Sequence, residues 1–356
     1  MQNLSRLDFT GQQIYVGMDV HKKSWSVSIF TEHLEHKTFS QPPEVNVLVN
    51  YLKRNFPGAV YNAVYEAGFS GFWAHDNLIE QGVNCIIVNP ADVPTKNKEK
   101  ATKTDKVDCR KLARGLRSGE IEGIYVPSRA KLEDRQLLRT RQSMVKKQTR
   151  CKNQIKAILF FYGIHIPEEL TKSRWSNKFI QWLGEIHQQK ASGDLAFAAH
   201  LMELKHIRQI IAALNRGIRA LSQTDEYREN VRLLKTVPGI SLLTAMTLLT
   251  ELYDINRFQN LDNLLSYVGL IPNTNSSGEK DCKTGITGRS NSQLRWLLIE
   301  SAWTAVRKDP ALLMAFSRLS KKTTSTKAIV KIAKKLLNRV RYVLKNQKEY
   351  VPAQVQ

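Results

Sequence analysis

The sequence predicts an α/β fold at its N-terminal end joined to a mostly α-helical remainder, and three observations predict it. Short apolar runs of strand length fall between residues 14 and 88, acids stand where those runs end, and apolar residues recur at helical spacing further on. Ile14 to Val20 reads as a short buried strand that reaches the acid Asp19 near its end. Ser24 to Phe30 alternates as its hairpin partner across a His21-Lys22-Lys23 turn. A second apolar run, Ala59 to Tyr65, stops at Glu66. The glycine-punctuated turn Ala67 to Gly71 then leads into the amphipathic segment Phe72 to Gln81. Val83 to Val88 is a further buried strand, closed by Asn89-Pro90. A helix over Thr104 to Leu116 begins with Asp105 and Asp108, which a spacing of three puts on one helical face near the positive end of the helix dipole.

An RNase H-like mixed sheet would bring Asp19, Glu66, Asp105 and Asp108 together. Acids at strand ends and in first helical turns are ordinarily caps or solvated residues. Four of them in the order Asp, Glu, Asp-x-x-Asp, each at an element boundary, point instead to a metal site. Carboxylates are the ligands hard Mg²⁺ prefers, and two such ions can stabilise the attacking and leaving oxygens of a phosphodiester. The surrounding chain suits a polyanion: 54 Lys and Arg stand against 32 Asp and Glu, a formal charge of +22 in 356 residues.

That length allows two or three domains, each able to bury a core. The boundaries expected are 1–125 for the α/β catalytic part, 126–226 for a helical arm and 227–356 for a C-terminal domain. There is no apolar run of membrane-spanning length and no export leader, so neither a membrane nor secretion is expected, and the cytoplasm or nucleoid of a prokaryote is the expected site of action. Cys85, Cys109, Cys151 and Cys282 are far apart, without ligand spacing, and read as reduced and mostly buried.

The arm is predicted from heptads. Leu137, Met144, Cys151 and Ile158 repeat every seven residues, with Ile155 and Tyr162 in the other seam position. Leu204, Ile207, Ile211, Leu214, Ile218 and Leu221 step by three and four. Two such helices make a coiled-coil hairpin, a spacer or dimerisation device. The first is unusually basic, with ten Lys or Arg and two acids from Arg129 to Lys156, which fits a solvated face and phosphate contact about equally.

In the third region, Leu233 to Ala245 is similar to a helix-hairpin-helix that offers backbone N–H groups to phosphate, with Ser241 in place of the usual second glycine. A plain helix-turn-helix packing motif explains it nearly as well. Asn273 to Arg289 reads as a polar, basic loop containing Ser276 and Ser277, followed by a helix from about Asn291 to Val306. Between Pro310 and Lys348 there are eleven Lys or Arg and no acid. Ala328 to Leu344 is read as a basic helix for nucleic acid in preference to a solvated tail.

Together these residues resemble the DEDD transposases of the insertion-sequence-110 family, relatives of the Piv-type DNA invertases. The resemblance is carried by Val16-Gly-Met-Asp19-Val-His-Lys-Lys, Tyr65-Glu66-Ala-Gly and Lys103-Thr-Asp105-Lys-Val-Asp108-Cys-Arg-Lys-Leu-Ala. At the C-terminal end it rests on Pro238-Gly-Ile, Leu264-Leu-Ser-Tyr-Val-Gly-Leu-Ile-Pro, Ser277-Gly278, Gly285-Ile-Thr-Gly288 and Leu294-Arg295. It implies a RuvC-like nuclease domain, a helical arm and a transposase domain that supplies a serine nucleophile. Asp19, Glu66, Asp105 and Asp108 are then the metal ligands, for two Mg²⁺ with Mn²⁺ as a substitute. Ser277, which directly precedes glycine as the family serine does, attacks a DNA phosphate and carries it covalently; the neighbouring Ser276 is the alternative. The resemblance further implies donor and target double-stranded DNA, a structured non-coding guide RNA encoded by the element, and a homo-oligomer, dimer or tetramer. The heptads suggest a composite site in which one protomer's acids meet another's serine.

Two rivals share the same acids. A RuvC-like structure-selective endonuclease would use metal-activated water and leave Ser277 a turn residue. A scaffold that kept the fold would cut nothing.

Overall fold

The computed structural model describes residues 8–94, 104–172, 174–277, 280–286 and 290–352, those within 272–286 by backbone alone. The chain forms two compact units that divide after Val126.

The first unit is built on a five-stranded mixed sheet: β1 (Gln13–Val20), β2 (Trp25–Phe30), β3 (Glu35–Gln41), β4 (Val60–Glu66) and β5 (Asn84–Val88). Their order is β3-β2-β1-β4-β5, with β1, β2 and β3 antiparallel and β4 and β5 parallel to β1. Strand alternation divides the side chains between two faces. Ile14, Val16, Met18, Val27, Ile29, Ala63, Tyr65, Cys85 and Ile87 pack on one face with Leu48, Val49 and Leu52 of α1 (Val45–Asn55) and Ala74 and Leu78 of α2 (Trp73–Glu80). The opposite face carries Val64 and Val88, covered by Leu112 of α3 (Asp105–Ser118) and by Ile121.

Gly17 sets how closely α3 lies on β1. A Cβ there would stand 2.0 Å from the Cys109 carbonyl oxygen and 2.4 Å from the Ala113 nitrogen, so only glycine lets the helix backbone rest on the strand. The α/β class and mixed sheet agree with the sequence reading. β3 and α1 were absent from it. β3 is a polar edge strand, mostly exposed, with little apolar alternation to announce it. α1 buries Val45, Leu48, Val49 and Leu52, a helical spacing plain in the sequence.

The second unit begins with a long helical hairpin, α4 (Arg129–Phe161) and α7 (Ala191–Leu221), joined through α5 (Glu168–Thr171) and α6 (Asn177–Gly184). Cys151, Ile155 and Leu159 of α4 pack with Phe197, Leu201, Leu204 and Ile207 of α7, and Phe179 and Leu183 of α6 close that cluster. Tyr162 departs from the expected seam: it ends α4 as the C-cap and is exposed.

The larger core of this unit lies among α8 (Arg228–Leu234), α9 (Leu242–Leu252), α10 (Leu261–Val268), α11 (Ser292–Lys308), α12 (Pro310–Ser320) and α13 (Ser325–Asn346). Here α13 is the basic helix expected from Ala328 to Leu344, with a buried face the sequence reading did not foresee. It buries Ala328, Ile329, Ile332, Ala333, Leu336, Leu337, Val340, Val343 and Leu344, so it is a strut of the core whose lysines sit on its outer side. Packing also shapes the segment from Leu233 to Ala245. Gly239, at φ +88°, lies so close to α11 that a Cβ would meet the Ser301 carbonyl oxygen at 2.4 Å. The Ser241 hydroxyl caps α9 by accepting from the Thr244 N–H. Among the described residues no helix is long and apolar enough to cross a membrane.

Candidate metal centre

The register of β1 and β4 positions the first two acids. Met18 pairs with Tyr65, and Asp19 and Glu66 each stand one residue beyond that pair. Alternation turns both toward the face on which α3 packs. α3 starts at that edge: the Thr104 hydroxyl accepts from the Val107 N–H as its N-cap, and Asp105 and Asp108 occupy its first turn. Acids there complement the unpaired N–H groups of the helix start, which explains their local tolerance. It does not explain their neighbours.

Two basic side chains to which the sequence reading gave no role at the site tie the acids together. His21 Nε2 lies 3.1 Å from Asp19 Oδ2 and 3.8 Å from Asp105 Oδ2. Asp19, His21 and Asp105 each bring one ligand atom to within 4.8 Å of the other two. Lys111 Nζ, largely buried, lies 3.3 Å from Asp108 Oδ1 and 3.8 Å from Glu66 Oε1. The acids thus meet in two pairs, Asp19 with Asp105 at an imidazole and Glu66 with Asp108 at an ammonium. His21 had a signal, two residues past Asp19 in the hairpin turn; Lys111 stands one helical turn after Asp108.

The electrostatics follow from this crowding. Partial burial raises the Asp19 pKa above the ordinary carboxylate value, and the charges of Asp105 and Asp108 push it the same way, while His21 opposes them. Mutually repelling carboxylate oxygens gathered at one sheet edge fit a hard divalent cation, which would relieve that repulsion. Phe69, on the loop after Glu66, faces the His21 ring with centroids 6.4 Å apart.

Ser276 and Ser277 lie in the second unit, and the expected loop is a β-hairpin. β6 (Pro272–Ser277) pairs with β7 (Lys280–Ile286), Ser277 opposite Lys280 at its tip. The side chains of both serines, and of Cys282, lie outside the described residues. The start of the helix that follows is knit to the core. The Asn291 N–H donates to the Tyr267 carbonyl at 3.0 Å, Asn291 Nδ2 to Glu251 Oε2 at 2.7 Å, and Arg295 Nη1 to Ser290 Oγ at 3.1 Å.

Comparisons with known proteins bear on both units. Residues 16–164 match a family described as Transposase, and residues 231–317 match one described as Transposase IS116/IS110/IS902 family. The chain is 32% identical over 240 residues to y4qE, a candidate transposase of Sinorhizobium fredii, covering 67% of this chain and 57% of that protein. It is therefore aligned with little more than half of y4qE. It is 30% identical over 254 residues to the transposase for insertion sequence element IS1533 of Leptospira borgpetersenii, covering 70% of this chain and 72% of the relative. With the transposase for insertion sequence element IS1111A of Coxiella burnetii it shares 26% over 245 residues, 67% and 64% of the two chains. The chain belongs to the IS116/IS110/IS902 family of transposases.

Proposed function

We propose that the chain is an insertion-sequence transposase that cuts and exchanges DNA strands through a serine–DNA intermediate, with Mg²⁺ held by Asp19, Glu66, Asp105 and Asp108. The observation that carries this reading is the gathering of those acids, with His21 and Lys111, where β1, β4 and α3 meet. The order β3-β2-β1-β4-β5, with its antiparallel and parallel halves, supports an RNase H-like and specifically RuvC-like assignment of the first unit.

A bound divalent cation would supply Lewis-acid stabilisation of the charge that builds on the phosphate oxygens. The protein's own groups have separate tasks. The four carboxylates would hold the ion, and His21 Nε2 fixes the Asp19 carboxylate through the 3.1 Å contact. The Lys111 ammonium balances Glu66 and Asp108 from a largely buried position. Ser277 Oγ forms a bond to phosphorus as the bond from phosphorus to one sugar oxygen breaks. The serine gives its proton to a base, and the departing sugar oxygen takes one up. The phosphodiester energy is retained in the serine ester, which permits rejoining without another energy source. Donor and target duplexes are the substrates, an element-encoded RNA the guide and a homo-oligomer the active form. The +22 charge favours such polyanionic partners.

The deciding experiment traps the adduct. Wild-type protein with Mg²⁺ and labelled element-end DNA should yield a protein–DNA species that survives denaturation, lost in Ser277→Ala and Asp105→Ala. Strand cleavage that persists in Ser277→Ala without any adduct would establish the water-using nuclease, and absence of metal-dependent cleavage would leave a scaffold.

A further inference from the structure

The second unit has a groove of about 630 Å³ between α4, α9 and α11. Leu138 and Val145 of α4, Leu243 of α9 and Leu297 of α11 give it an apolar floor. Arg141 and Lys146 contribute positive charge, and no acid is among the lining residues. Trp296 also lines it and leaves 57% of its surface in solvent. A large aromatic left that open on an otherwise well-packed helix calls for an occupant.

The chemistry selects one. An open indole face stacks on a nucleobase, an apolar floor accepts its edge, and Arg and Lys pair with phosphates, Arg141 being held in place by donation from its Nε to Asn215 Oδ1. Gln142 and Gln293 add amide donors and acceptors suited to base edges. The volume is that of a small-molecule site and admits a nucleotide, whereas a duplex is far too wide to enter it. The charge is complementary to nucleic acid along the whole of α4, which carries ten Lys or Arg and two acids from Arg129 to Lys156. In the chain, α11 is the next element after the β6–β7 hairpin.

We propose that this groove receives an unpaired nucleotide of the DNA strand being cut, its base stacked on Trp296 and its flanking phosphates at Arg141 and Lys146. The choice of DNA rests on the reading of the hairpin serine as the group that attacks DNA.

The test uses full-length Ser277→Ala protein, so that no strand is consumed, and fluorescence anisotropy at fixed salt with single-stranded DNA, RNA of the same sequence and a blunt duplex. Trp296→Ala should weaken single-stranded DNA binding about tenfold and leave the duplex unchanged, while Trp296→Phe retains most of the affinity. Lys146→Gln should lower the slope of log K against log salt by about one phosphate contact. No loss with single-stranded DNA in Trp296→Ala, or an equal loss with the duplex, would overturn the proposal; a loss confined to RNA would overturn the DNA assignment. Failure of the serine reading shows separately, as a missing adduct in wild type, with the Trp296 dependence still measurable.

Discussion

Arg139 grips the carboxylate of Glu251 with both prongs of its guanidinium, Nε to Oε1 at 2.6 Å and Nη2 to Oε2 at 2.9 Å. Glu251 is wholly buried in α9, and its second oxygen also accepts from Asn291, the N-cap of α11. One acid therefore joins α4, α9 and the start of α11. Removing Arg139 would strand a buried charge. Arg139→Ala should cost about 3 kcal/mol, the low end for a broken buried pair because the guanidinium is partly open to water. Glu251→Gln should cost less, since one oxygen remains to accept. Denaturant unfolding of the two variants measures the difference.

Gly17→Ala tests the close approach of α3 to β1. The added methyl has no room beside Cys109 and Ala113. Overpacking of this kind costs about 1–3 kcal/mol. The displaced helix should also carry Asp105 and Asp108 away from Asp19 and Glu66. The variant should thus lose Mn²⁺ affinity, read by titration calorimetry, in greater proportion than it loses melting temperature.

The crowding at Asp19 gives a pH-dependent expectation. Its pKa is raised by burial and neighbouring charge, so the ionised form is less favourable in the folded state than in the unfolded one. The penalty develops as pH climbs through the carboxylate range and is complete above it. In EDTA at neutral pH, Asp19→Asn should therefore melt above wild type, and the gap should close in acid where both side chains are neutral. Added Mg²⁺ should reverse the order, because only the wild type gains full stabilisation by binding. A lower melting point for Asp19→Asn in EDTA at neutral pH would refute this account.

Burial pushes the thiols of Cys85 and Cys109 up to about 12 and that of Cys151 up to about 11. At pH 8 their thiolate fractions are then about one in a thousand or less. Iodoacetamide should leave all three unmodified in the native protein and label them in denaturant, as peptide mapping by mass spectrometry would reveal.

The parts of the fold that were legible share strong apolar patterning. β1, β2, β4 and β5 announced themselves as apolar runs, and the long helices as heptads. β3 was hidden because Glu35 to Gln41 is polar and lies at the sheet edge. The β6–β7 hairpin looked like a loop because Asn and Gly are poor strand formers and register is a property of pairing. For α13, counting lysines concealed an apolar stripe at helical spacing that buries nine side chains. At the site, Asp19, Glu66, Asp105 and Asp108 stood out through element ends. The contributions of His21 and Lys111 depend on distances across the sheet edge, which no linear pattern displays.

The place of α13 bears on how damaged copies of such an element behave. A coding region interrupted before Ser325 would yield a product without the strut, leaving apolar surfaces of α8, α10, α11 and α12 facing water. Such fragments are targets for proteases and aggregation. They would be cleared as misfolded material, leaving only the intact chain to accumulate.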